Sequence, residues 1–110
     1  MELKKVMDAF GCHYAIGYIL EPESKSTYGS PSTPDEERFA HYFDFPSVHD
    51  AFRLVENKIL PLIWSQGQYT AVIVRPTEYS LLALIVPKIT DITKSYLRSK
   101  ELEAALISIA

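Results

Sequence analysis

The run Leu81-Leu-Ala-Leu-Ile-Val86 is apolar at every position. Successive side chains of a strand point to opposite faces, so as a strand this segment is apolar on both. A sheet tolerates that only where helices cover both sides. The segment is therefore expected at the centre of a sheet with helix layers above and below. Tyr69 to Arg75 precedes it as a second β-rich run, and Pro76-Thr77-Glu78 lies between them with proline placed for the second position of a turn, which predicts a hairpin.

Helical periods flank this pair. Leu3, Val6, Met7 and Phe10 fall at i, i+3, i+4 and i+7 and predict a helix over residues 2–10, with Gly11 as its left-handed stop. His13 to Leu20 reads as an inner strand closed by Glu21-Pro22. Gly17 in its middle is expected to lie under a packed helix rather than under a ligand. Residues 21–34 hold Pro22, Pro31 and Pro34 among Ser, Lys, Glu and Gly29, the composition of a loop, with a short strand around Lys25 to Gly29. Tyr28 is the aromatic exception there, expected to pack or to bind.

Asp35-Glu36-Glu37 after Pro34 fits a helix start, where carboxylates meet the positive end of the helix dipole. Residues 39–45 read two ways. Phe39, Tyr42 and Phe43 share a helix face, while Phe39, His41, Phe43 and Phe45 alternate as in a strand; helix is preferred. Pro46 breaks the segment and Ser47 caps a longer helix carrying Val48, Ala51, Phe52, Val55, Ile59, Leu62 and Ile63. Pro61 predicts a kink near Asn57, Trp64 falls on the last turn, and Gly67 ends the helix. A final helix over about 91–109 carries Ile92, Tyr96, Leu102, Leu106 and Ile109.

These elements predict an α+β fold in one domain over residues 1–110, with a mostly antiparallel sheet of about five strands sandwiched between helix layers. Eleven Lys and Arg against fourteen Asp and Glu give a net charge of −3, which leaves no basic face for nucleic acid. The longest apolar run, Leu81 to Val86, is too short for membrane insertion, and Asp8 and His13 interrupt any signal-peptide core. A lone Cys12 rules out an internal disulfide and fits the cytoplasm.

Chemistry is sparse. None of Gly11, Gly17, Gly29 and Gly67 has the spacing of a phosphate-binding loop. Cys12 and His13 are neighbours, so on a strand they face opposite ways, wrong for a nucleophile and its base. His41, Asp44 and His49 are split by Pro46, which argues against a metal site. No cofactor and no catalytic residue is expected. The serines and threonines between Ser24 and Thr33 read as a solvated connector.

The stretch Tyr69-Thr-Ala-Val-Ile-Val-Arg-Pro-Thr-Glu-Tyr-Ser-Leu-Leu-Ala-Leu-Ile-Val-Pro87 before a helix resembles the Roadblock/dynein light chain family. So do the short N-terminal helix leading into a strand, a loop with a second strand ending Tyr28-Gly29-Ser30, and a helix opening Pro34-Asp35-Glu36-Glu37. Pro46 and Pro61 depart from the family's long central helix. The resemblance implies a Roadblock-like (profilin-like) architecture and a non-enzymatic homodimer that binds or regulates a small Ras-like GTPase or scaffolds a larger complex. Dimers of this family commonly join the central helices and pair a sheet strand across a twofold axis. On this chain that maps to Val48 to Trp64 and Tyr69 to Arg75, with Val48, Phe52, Val55, Trp64, Tyr69, Thr70, Val72 and Val74 as candidate interface residues. The Tyr69 to Arg75 strand carries Arg75 as its only charge and so lacks the usual protection of a free edge. The competing reading is a small-ligand sensory domain in which the sheet and aromatics line a pocket.

Overall fold

The computed structural model describes residues 2–110. Its elements in chain order are α1 (Glu2–Ala9), β1 (Tyr14–Leu20), β2 (Glu23–Gly29), α2 (Pro34–His41), α3 (Val48–Val55), β3 (Leu62–Gln66), β4 (Tyr69–Thr77), β5 (Ser80–Pro87) and α4 (Ile92–Ile109). The five strands form one antiparallel sheet in the order β2-β1-β5-β4-β3. The doubly apolar strand β5 is its middle member. Leu81, Ala83 and Ile85 face α2 and α3 together with Ile16, Tyr18, Phe39, Ala51 and Ile73. Leu82, Leu84 and Val86 face α1 and α4, where Met7, Ala15, Val72, Leu102 and Leu106 complete a second core. The α+β sandwich is thus built as the pattern of β5 demands.

Helix starts follow local chemistry. Ser47 caps α3 by accepting from the Asp50 amide at 3.1 Å, and Asp91 caps α4 by accepting from the Lys94 amide at 2.9 Å. At α2, Thr33 accepts from the Glu36 amide at 3.1 Å, and the Glu36 carboxylate reaches back to the Ser32 amide at 2.8 Å and hydroxyl at 2.6 Å. This reciprocal arrangement explains why a carboxylate is buried there. Gly11 stops α1 at φ +67°.

Three expectations are corrected. The helix opened by Ser47 ends at Val55 instead of kinking near Asn57, because Asn57 takes the left-handed conformation (φ 60°) that terminates helices. Trp64 therefore lies on a strand, β3, and Gly67 (φ 61°) serves the two-residue β3–β4 turn between Gln66 and Tyr69. Pro76 lies within β4 at a register shift, and Glu78-Tyr79 makes the β4–β5 turn. A bulge accommodates the missing proline donor. Finally, the side chains closest to Gly17 come from neighbouring strands rather than from a helix. A Cβ there would meet the Tyr28 ring at 3.0 Å and Leu82 at 3.3 Å, so Tyr28, from the neighbouring strand, fills that gap. The ambiguous segment 39–45 is helical as far as His41. Beyond it the buried Tyr18 hydroxyl donates to the Phe43 carbonyl and accepts from the Phe45 amide at 2.9 Å, pinning the break between α2 and α3 to the sheet.

Candidate functional site

The sheet has two open edges, β2 and β3, and they differ in chemistry. β2, Glu-Ser-Lys-Ser-Thr-Tyr-Gly, points its charges at the helix layer. Lys25 pairs with Asp44 and also donates to the Phe45 carbonyl at 3.3 Å, while Glu23 pairs with His49. Asp44 and His49, which the sequence argues against as metal ligands, are thereby each partnered along this edge. β3, Leu62-Ile-Trp-Ser-Gln66, carries no charge and no proline. Every strand edge presents unpaired N–H and C=O groups that can template a further strand, and charge is the common device that prevents it.

Around β3 lies unusual apolar exposure. Trp64 stands opposite Ala71 and is 60% exposed; Tyr42, at the end of α2, is 66% exposed. Tyr42, Phe39, Gln66 and Tyr69 help line a groove of about 420 Å³ between α2 and the β3–β4 turn. The Tyr69 ring stacks on Phe39 with centroids 6.2 Å apart, and its hydroxyl shares a 2.7 Å hydrogen bond with Thr33. On the opposite sheet face Ser65 and Thr70 join hydroxyls at 2.7 Å.

The candidate interface residues divide sharply. Val48 and Val55 are buried against the sheet, and Thr70, Val72 and Val74 are buried on the face covered by α4. Phe52 is half-buried with the Arg75 guanidinium 5.2 Å above its ring. Trp64 presents the most surface, followed by Phe52 and Tyr69. The reading of β4 as the free edge is corrected, since β4 is paired by β5 on one side and β3 on the other. A charge at Thr70 would therefore test folding more than association. What the sequence reading missed was β3, although Ile63-Trp64 followed by Gly67-Gln68 is a strand and hairpin-turn signal.

Cys12 is buried and donates to the Tyr14 carbonyl at 3.2 Å; burial pushes its thiol up to about 11, so it stays protonated, while His13 beside it is exposed. Among the described residues, no group of three or more His, Cys, Asp or Glu gathers as a metal site, and no helix is long and apolar enough to cross a membrane.

No family model matches the sequence, and no curated protein matches it. Solved structures do. The gliding protein MglB from Thermus thermophilus is 16% identical with a TM-score of 0.59, the match covering 99% of this chain and 85% of that one. A structure described as MglB with a tetrameric arrangement is 18% identical with a TM-score of 0.57 and the same coverage. MglB of Myxococcus xanthus is 12% identical with a TM-score of 0.54, covering 96% of this chain and 88% of that one. The chain has the fold of these proteins, which is Roadblock-like.

Proposed function

We propose that the chain is a non-enzymatic, cytoplasmic interaction module that works as a homodimer joined edge to edge through β3, and that the dimer binds a small Ras-like GTPase or holds a larger complex together. One observation carries the reading: in a Roadblock-like fold, the β3 edge is bare of charge and displays Trp64. Two β3 strands paired about a twofold axis would turn two five-stranded sheets into one of ten and set Trp64 and Tyr42 of both copies on the same face. A similar structure is described as having a tetrameric arrangement, which supports self-association as a use of this fold. The GTPase half of the reading follows from the fold resemblance. The non-enzymatic half follows from the same resemblance and fits a buried Cys12 whose thiol stays protonated.

Light scattering tests the dimer: a mass twice the 12.5 kDa of the chain is expected, and 12.5 kDa at micromolar concentration removes the reading. Size-exclusion co-elution with each purified Ras-like GTPase of the same organism, loaded with GDP or with a GTP analogue, tests the partner. Nucleotide-dependent co-elution is expected, and failure with all of them removes the GTPase half.

A further inference from the structure

Helix α4 has three sides with different fates. Ser99, Leu102 and Leu106 point down into the core under it. On one flank Arg98 locks α4 to α1: its guanidinium lies 4.0 Å above the Phe10 ring and donates to the Ala9 carbonyl at 2.9 Å. At about 100° per residue, the opposite flank carries Ile92, Tyr96 and Ile107, which are 86%, 51% and 51% exposed. Since α4 packs over β4 while α1 lies toward β2, with Met7 3.6 Å from where a Cβ of Gly29 would sit, the strand order places this apolar flank on the side of β3.

We propose that this flank is the second half of the contact between two copies of the chain, meeting its counterpart above the joined β3 strands. The inference rests on the edge-to-edge dimer proposed above. Area is the first argument. A stable interface buries roughly 800 Å² per partner, and a five-residue strand supplies only a fraction of that. Trp64 and Tyr42 add surface on one face of the sheet; on the other face the α4 flank is the apolar surface nearest the same edge.

Spacing is the second argument. From β4 through the two β3 strands to the partner's β4 there are three inter-strand steps of about 4.8 Å, which set the two α4 helices about 14 Å apart. Helices in direct contact lie about 8 to 10 Å apart, so the remaining gap is one that tyrosine and isoleucine side chains span, with Ile63 of each β3 as the floor.

Charge is the third. A twofold axis sets a surface against itself, so an isolated charge would meet its own copy. The charges on this flank, Lys100 and Glu103, neutralise each other at 3.1 Å.

Sedimentation equilibrium on the full chain decides it, using Ile92→Glu/Tyr96→Glu, Trp64→Glu, and Leu97→Glu as a control on the solvent side of α4. The double variant should weaken the dimer at least tenfold with an unchanged circular-dichroism melt at concentrations where the chain is monomeric, while Leu97→Glu matches the parent chain. Tyr96→Ser, which adds no charge, should weaken it about threefold and serves as the probe if the double variant fails to fold. If Trp64→Glu is monomeric while the α4 variants dimerise like the parent, the edge reading stands and this inference falls. It also falls if Leu97→Glu weakens the dimer as much as the double variant does. If Trp64→Glu still dimerises, or the parent chain is monomeric, the edge reading falls and takes the inference with it.

Discussion

The two edges of the sheet are built from opposite chemistry, although both are hairpin partners of inner strands. β2 closes itself: Glu23 and Lys25 reach up to His49 and Asp44, and the other face of the strand holds the Tyr28 ring over Gly17. β3 has neither device, and its largest side chain faces solvent. The lesson concerns closure. Two sticky edges on one sheet would let copies add without end, whereas one guarded and one bare edge allow a single twofold contact and then stop.

The largest expected effect sets the baseline for that comparison, because both edges hang on the same central strand. Leu84 is fully buried in β5, and Leu84→Ala should cost about 2 to 5 kcal/mol in a urea melt. The loss should be felt at both edges alike. A cost under about 0.5 kcal/mol would mean that the two edges are not organised by β5.

Next comes the bare edge itself. Trp64→Glu should weaken the dimer by about 2 kcal/mol or more, roughly thirtyfold, while leaving the thermal melt of the monomer unchanged because the side chain is exposed. Analytical ultracentrifugation separates the two quantities. A dimer of parental strength would place the contact elsewhere than β3.

The guarded edge depends on the position of Asp44, and Tyr18 fixes the linker that carries it. Tyr18→Phe should cost about 1 to 3 kcal/mol through the orphaned Phe45 amide. It should also change the alkaline behaviour. Burial pushes the Tyr18 hydroxyl from 10 up to about 12, so the unfolded chain gives up this proton first and stability falls as pH rises from about 10 to about 12. Melts across that window should be flatter in Tyr18→Phe, and an unchanged slope would contradict the assignment.

The smallest effect on stability is the most direct comparison of the edges. Removing both β2 charges, Glu23→Ala with Lys25→Ala, breaks the Lys25–Asp44 ion pair and the Glu23–His49 contact, both largely exposed, and should cost less than about 1 kcal/mol. Yet it strips the guard, so sedimentation velocity should reveal species larger than the dimer that grow with concentration. Their absence would show that the charges do not protect this edge.

Much of this architecture was legible because it is written in local period and two-faced burial. β5 announced its central place, Gly11 and Ser47 marked a helix end and a helix start, and the final helix followed from Ile92 to Ile109. β3 was hidden because Ile59, Leu62 and Ile63 happen to continue the three-and-four spacing of α3. The stop at Asn57 depends on a backbone conformation that periodicity does not encode. The helix-or-strand ambiguity of residues 39–45 was settled by Tyr18, more than twenty residues away in sequence. The candidate site suffered for the same reason. Once β3 is moved to the edge, Val72 and Val74 become interior packing, and Trp64 changes from a helix terminus to the exposed residue of an open strand.

Trp64 is the chain's only tryptophan. Its indole therefore supplies all of the tryptophan emission, and it stands on the surface where association would remove it from water. Assembly of the unmodified protein would be visible as a shift of that emission to shorter wavelength on concentration, with no label attached, and the same signal would report any partner that competes for the edge.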